Sequence, residues 1–90
     1  SKALLDKIDI EIAEFLKKHH GVDNSKIILT GVNDFTKRGI SFGVSFFVKA
    51  LTDMDYSHLR HRIVTDIGQI IRNNDIEMVM INWDDFNNHN

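Results

Sequence analysis

The chain contains no cysteine and no proline in 90 residues, only one Trp and one Tyr, and almost no excess charge. Each absence excludes something. Without cysteine there is no disulfide framework, no thiolate metal centre and no cysteine nucleophile, and a reducing compartment is allowed. Eleven Lys and Arg against thirteen Asp and Glu leave a net charge of −2, which gives no electrostatic reason to expect duplex DNA or an anionic membrane surface as a partner. The aliphatic runs Ile27-Ile28-Leu29 and Met78-Val79-Met80-Ile81 are far shorter than the ~18 apolar residues that cross a bilayer. Apolar residues at 42% and charged residues at 27% lie near the globular average, so disordered, collagenous and coiled-coil chains are excluded in turn. The length suits one domain with a small core. A first residue of Ser, with no targeting signal behind it, reads as a piece cut from a longer protein.

What is present is periodicity. Leu5, Ile8, Ile12, Phe15 and Leu16 recur at helical spacing across residues 3–19, with Asp6, Lys7, Glu11, Glu14, Lys17 and Lys18 mostly on the other side. The cations Lys17, Lys18, His19 and His20 suit the negative end of that helix, and Gly21 is expected to stop it in a left-handed conformation. The run Ile27–Leu29 predicts a short strand, followed by turn residues Gly31, Asn33 and Asp34 and a second polar break at 36–39. Ile40, Phe42, Val44, Phe46, Val48 and Ala50 then alternate with Ser41, Gly43, Ser45, Phe47 and Lys49, giving a strand with one face on a core and the other mostly wet. A second helix is expected from Asp53 or Asp55, either acting as its cap, with Tyr56, Leu59, Ile63, Ile67, Ile70 and Ile71 on one stripe and an end by Asn73 or Asn74. Ile76–Trp83 reads as a buried strand. Residues 1–83 form one domain on this reading, and 84–90 a polar, frayed tail.

The order α-β-β-α-β predicts an α+β fold. The first two strands pair as a hairpin, and the third returns parallel through a right-handed helical crossover, with both helices on one face of a mixed three-stranded sheet. This is a ferredoxin-like two-layer sandwich lacking its first strand, in which the last strand shifts inward, leaves a gap or borrows a strand from another chain.

No residue pattern here builds a catalytic, cofactor or metal site. His58 and His61 stand at i, i+3 with Asp53 or Asp55 as a third donor, but Arg60 and Arg62 beside them oppose a divalent cation, so solvated histidines are expected. The carboxylate pairs Asp53/Asp55 and Asp84/Asp85 lack the apolar enclosure that shifts a pKa for acid–base work. Ser41, Ser45 and Ser57 lie in no nucleophile elbow, and Gly39 and Gly43 belong to no phosphate loop but mark close packing or a bulge. An enzyme is not expected. Nucleic-acid binding is not expected either: Phe42 and Phe46 belong to the core face, leaving Phe47 alone as an exposed aromatic that needs cover from the tail or another subunit.

From Phe15 onward the chain resembles the C-terminal cytoplasmic domain of the small-conductance mechanosensitive channel (MscS) family, in its miniconductance branch. Residues 36–40, Thr-Lys-Arg-Gly-Ile, are similar to the branch opening Thr-Pro-x-Gly-Leu, and Tyr56, Leu59 and Ile63 repeat its aromatic and aliphatic spacing. Tyr56, Leu59, Arg60, Asp75, Ile76 and Glu77 resemble a family run Tyr-x-x-Val-Arg ending in Gly-Ile-Glu, and residues 15–20 resemble a Tyr-Leu-x-x-His-Pro helix end. His20 and Lys37 stand where that family has proline, and Asp75 where it has glycine. The resemblance implies a tension-gated channel of the bacterial inner membrane that releases osmolytes after downshock, its pore helix upstream of Ser1. This domain would be part of the cytoplasmic vestibule, in a homo-oligomer, a heptamer in typical members, and a monomer or dimer as a fragment. Tyr56, Leu59, Ile63 and Ile67 would be packing residues, with no cofactor. A second resemblance, of His61-Arg62-Ile63 to a His-Glu-Ile of the cation diffusion facilitator transporters, implies instead a metal transporter's cytoplasmic domain.

Overall fold

A computed structural model of the chain describes residues 2–36, 39–49, 52–74 and 79–87, with the backbone alone at 33–36 and 79–87. The fold is mixed α+β. Helix α1 spans Lys2–Lys18, strand β1 Leu29–Thr36, strand β2 Gly39–Val48, helix α2 Asp53–Arg72 and strand β3 Val79–Asn87. None of the described helices is long and apolar enough to cross a membrane.

The helical stripes became the core. Ile8, Ile12 and Leu16 of α1 and Ile63, Ile67 and Ile71 of α2 are fully buried, and they meet Phe42, Val44, Phe46 and Val48, which are at most 2% exposed. Period 3.6 on the helices and period 2 on the strand each place one apolar row on a common side, so both helices pack against the same face of β2.

β1 and β2 form an antiparallel pair from Leu29 opposite Ser45 to Thr36 opposite Gly39, with a shift between Val32 and Asp34 that leaves Asn33 as an extra residue. The strand expected at Ile27–Leu29 therefore begins where that run ends. Gly31, Asn33 and Asp34 do not turn the chain; the ladder to β2 carries it onward and absorbs the irregularity as a bulge. The connection falls on Lys37 and Arg38, which lie outside the described residues, and Gly39 follows it at φ 133°, a conformation that excludes a Cβ.

The end of α1 also differs from expectation. Gly39 is the one positive-φ glycine among the described residues, so Gly21 does not supply a left-handed stop. The helix ends instead through side chains. Asn24 Nδ2 donates to the Lys17 carbonyl at 3.1 Å, and His19 Nδ1 accepts from the Gly21 N–H at 3.0 Å. The chain then extends the pairing of β2 beyond Ser45. Val22 bridges to Val48, with Asp23 N–H donating to the Phe47 carbonyl and Lys49 N–H to the Gly21 carbonyl, both at 2.8 Å. This puts Val22 in the core at 0% exposure, a position that no periodicity marked because it stands alone between a helix and a loop.

α2 is capped by Thr52, not by Asp53 or Asp55. Thr52 is extended, at φ −132° and ψ 163°, and its Oγ1 accepts from the Asp55 N–H at 3.0 Å. The two aspartates occupy the first turn, where carboxylates suit the positive end of the dipole. At the far end Asn73 is the C-cap and Asn74 Nδ2 donates to the Ile70 carbonyl at 2.8 Å. The backbone of β3 then runs in parallel register beside β2, from Val79 opposite Ile40 to Asn87 opposite Val48. The strand expected at Ile76–Trp83 is thus displaced toward the C-terminus. Asp84, Asp85, Phe86 and Asn87 continue it instead of fraying, since backbone pairing needs no apolar side chain, while residues 75–78 and 88–90 lie outside the description.

Candidate functional site

The structure separates the two histidines that spacing had joined. Both His58 and His61 are exposed on α2, but only His58 turns toward the start of the chain's first loop. There it lines a cleft of about 390 Å³ with Asp55, Leu59 and Arg62 of the same helix, His20 and Gly21 after α1, and Lys49 after β2. Spacing i, i+3, i+4, i+7 is one stripe of a helix, which is why these four α2 residues share the wall. Leu59 forms the junction: a Cβ on Gly21 would stand 2.4 Å from Leu59 Cδ1, so only glycine lets the loop lie this close. Lys49 is held beside that loop by its backbone bond to the Gly21 carbonyl.

At the rim of this cleft, His19 is half-buried, edge-on to Phe15 with ring centroids 5.4 Å apart and stacked on His20 at 5.0 Å. A backbone N–H can only donate, so the bond from Gly21 fixes His19 Nδ1 as unprotonated acceptor. Burial holds the His19 pKa below 6.5, with neighbouring His20 and Arg62 acting in the same direction and Asp66 against them.

A second feature surrounds the start of β1. Asp23, buried, accepts from Ser25 Oγ at 2.6 Å and Ser25 N–H at 3.1 Å. The Ser25 hydroxyl is the main reason its carboxyl lies below the ordinary aspartate range; desolvation opposes this, and Lys49 and Lys26 reinforce it. The short polar turn was legible as Asp followed two residues on by Ser, though it had not been singled out. Beyond it, Ile27 and Leu29 are 62% and 56% exposed. Thr30 Oγ1 donates to Asp9 Oδ1, tying this end of β1 to α1.

On the face of β2 away from the helices, Phe47 is half-buried with Lys26 Nζ 5.7 Å from its ring centroid. That face is drier than alternation suggests: Ser41 is buried and Gly43 and Ser45 are half-buried, because strands on both flanks shield small side chains. Phe42 and Phe46 lie in the core, Ser57, Asp53 and Asp55 are exposed, and the side chains of Asp84 and Asp85 fall outside the description. Among the described residues, no group of three or more His, Asp and Glu side chains converges as a metal site would. Tyr56 and Leu59 are half-buried and Ile63 and Ile67 fully buried.

Comparison of the chain with known protein families, with curated proteins and with solved structures finds no match.

Proposed function

We propose that this chain is a subunit-association domain, part of the cytoplasmic vestibule of a tension-gated channel of the mechanosensitive type, with no catalytic role of its own. The observation that carries this reading is the edge of β1. Among the described residues β1 pairs with β2 and with no other strand, and its entry, Ile27 and Leu29, presents two large aliphatic side chains to solvent. An unpaired strand edge with exposed apolar residues is a template for adding another chain, which natural monomers blunt with charge. The Asn33 bulge interrupts the ladder farther on, so the regular stretch open to a partner is Leu29–Val32. The parallel register of β3 along β2 and the packing of both helices on one side support the finer architecture, a ferredoxin-like sandwich of three strands without the leading one. The resemblance of residues 15–77 supplies the cellular setting: identical subunits, heptameric in the full-length channel, at the cytoplasmic side of the bacterial inner membrane.

Light scattering over a concentration series tests this. The 90-residue chain is expected to shift from monomer toward dimer as concentration rises, and Leu29→Lys, which places a charge on the edge, to hold it monomeric. Ile10→Lys, at an exposed position of α1, serves as the control and should leave the shift intact. A chain that stays monomeric throughout, or a shift indifferent to Leu29→Lys, overturns the proposal. Association that appears only with zinc would turn the reading to a metal transporter's domain.

A further inference from the structure

We propose that the cleft between α2, the loop after α1 and the end of β2 binds the phosphate group of a small anion, a site independent of the association reading. The chain as a whole is acidic, yet the walls of this cleft reverse the sign: Lys49 and Arg62 are cationic, His20 and His58 add two imidazoles, and Asp55 is the single acid. These groups come from three separate segments, so their convergence is a product of the fold and not of a charged run in sequence. A volume of about 390 Å³ lies within the range of small-molecule sites, roughly 300–1,000 Å³.

The donors suit phosphate better than a metal or a carboxylate. Arginine offers a planar fork matched to tetrahedral oxyanions and lysine a compact point charge. Neutral imidazole still has one N–H to give, so His20 and His58 can donate without being charged. Two cations and one acid cannot hold a divalent metal. The attraction does not come from the end of α2, because the Asp55 N–H is already taken by Thr52 Oγ1. The close seating of Gly21 on Leu59 shapes the floor, and the bond from Lys49 N–H to the Gly21 carbonyl sets where the lysine leaves the strand. Asp55 repels the anion from one side and selects for ligands whose phosphate meets Lys49 and Arg62.

The test is a titration of the isotope-labelled chain at about neutral pH and low salt, following backbone amide resonances. Inorganic phosphate and glycerol phosphate are the probes, with sodium chloride at matched ionic strength as reference. Saturable shifts centred on Gly21, Lys49 and Leu59 are expected with phosphate or its ester, and which of the two binds tighter identifies the free ion or the ester as the preferred source. Arg62→Gln and Lys49→Gln should each weaken binding about tenfold, the worth of one charge-assisted hydrogen bond, and Asp55→Asn should strengthen it. All three side chains are exposed, so an unchanged unfolding midpoint will show that the variants remain folded. Shifts that follow chloride equally, or that survive both Arg62→Gln and Lys49→Gln, overturn the proposal.

Discussion

The two faces of β2 come from one run of ten residues and are held by different forces. On one, Phe42, Val44, Phe46 and Val48 are sealed under two helices and owe their place to apolar burial. On the other, Ser41, Gly43, Ser45 and Phe47 sit at intermediate or low exposure without a helix above them, and Phe47 keeps company with the Lys26 ammonium. Burial of a large side chain is worth several kcal/mol and tolerates little change, whereas a half-exposed ring over a cation contributes far less. One face therefore fixes the fold, and the other is free to vary in what it meets.

The sharpest test of that contrast is a pair of neighbours. Phe46→Ala should cost about 3–5 kcal/mol in urea unfolding, because the ring is fully buried among both helices. Phe47→Ala should cost about 1 kcal/mol, and equal losses would break the distinction. A smaller effect is expected where the helical layer meets the loop. Gly21→Ala brings a methyl into Leu59 Cδ1 at 2.4 Å. Because the end of a leucine can rotate away, the expected loss is about 1–3 kcal/mol, and no change in midpoint would mean the contact is slack. Thr52→Ala removes the acceptor for the Asp55 N–H and should cost about 1 kcal/mol, with Thr52→Ser retaining most of it.

The smallest effect is a pH dependence at the rim of the covered face. The folded pKa of His19 lies below 6.5, so the unfolded chain takes up the proton first as pH falls. Its contribution to stability is therefore complete above pH 6.5 and is lost as the pH drops from there through the folded value. Protonation at Nδ1 also removes the acceptor for the Gly21 N–H. Unfolding midpoints measured from neutral to mildly acidic pH should fall, and His19→Ala should flatten that part of the slope; an unchanged slope would show that His19 plays no part in it.

How much of this was legible varies along the chain. The stripe Ile8, Ile12, Leu16 and the stripe Ile63, Ile67, Ile71 were readable because a helix repeats every 3.6 residues, and each buried position announces the next. The β2 face was readable for the same reason at period 2. Helix ends were less so: Asp53, Asp55 and Thr52 are all competent caps, and only the backbone geometry chose Thr52. β1 was misplaced because its pattern, Leu-Thr-Gly-Val-Asn-Asp-Phe-Thr, contains turn residues that a partner strand overrides. Val22 was missed outright, as a single valine has no period.

For the cleft the limit is stricter. His58 and His61 look equivalent in sequence, three residues apart between arginines, and the fold gives them different neighbours. His20, Lys49 and Arg62 are far apart in the chain and carry no shared signal.

By itself the sequence determined the two helices, the alternating strand and the apolar residues that join them, because those depend on local periodicity and on the free energy of removing side chains from water. Only the tertiary structure decided the bulge at Asn33, the bridge from Val22 to Val48, the pairing partner of each strand edge and the meeting of His20, Lys49 and Arg62. Such features rest on contacts between residues distant in the chain, whose strength depends on how backbones align in space and not on the identity of near neighbours.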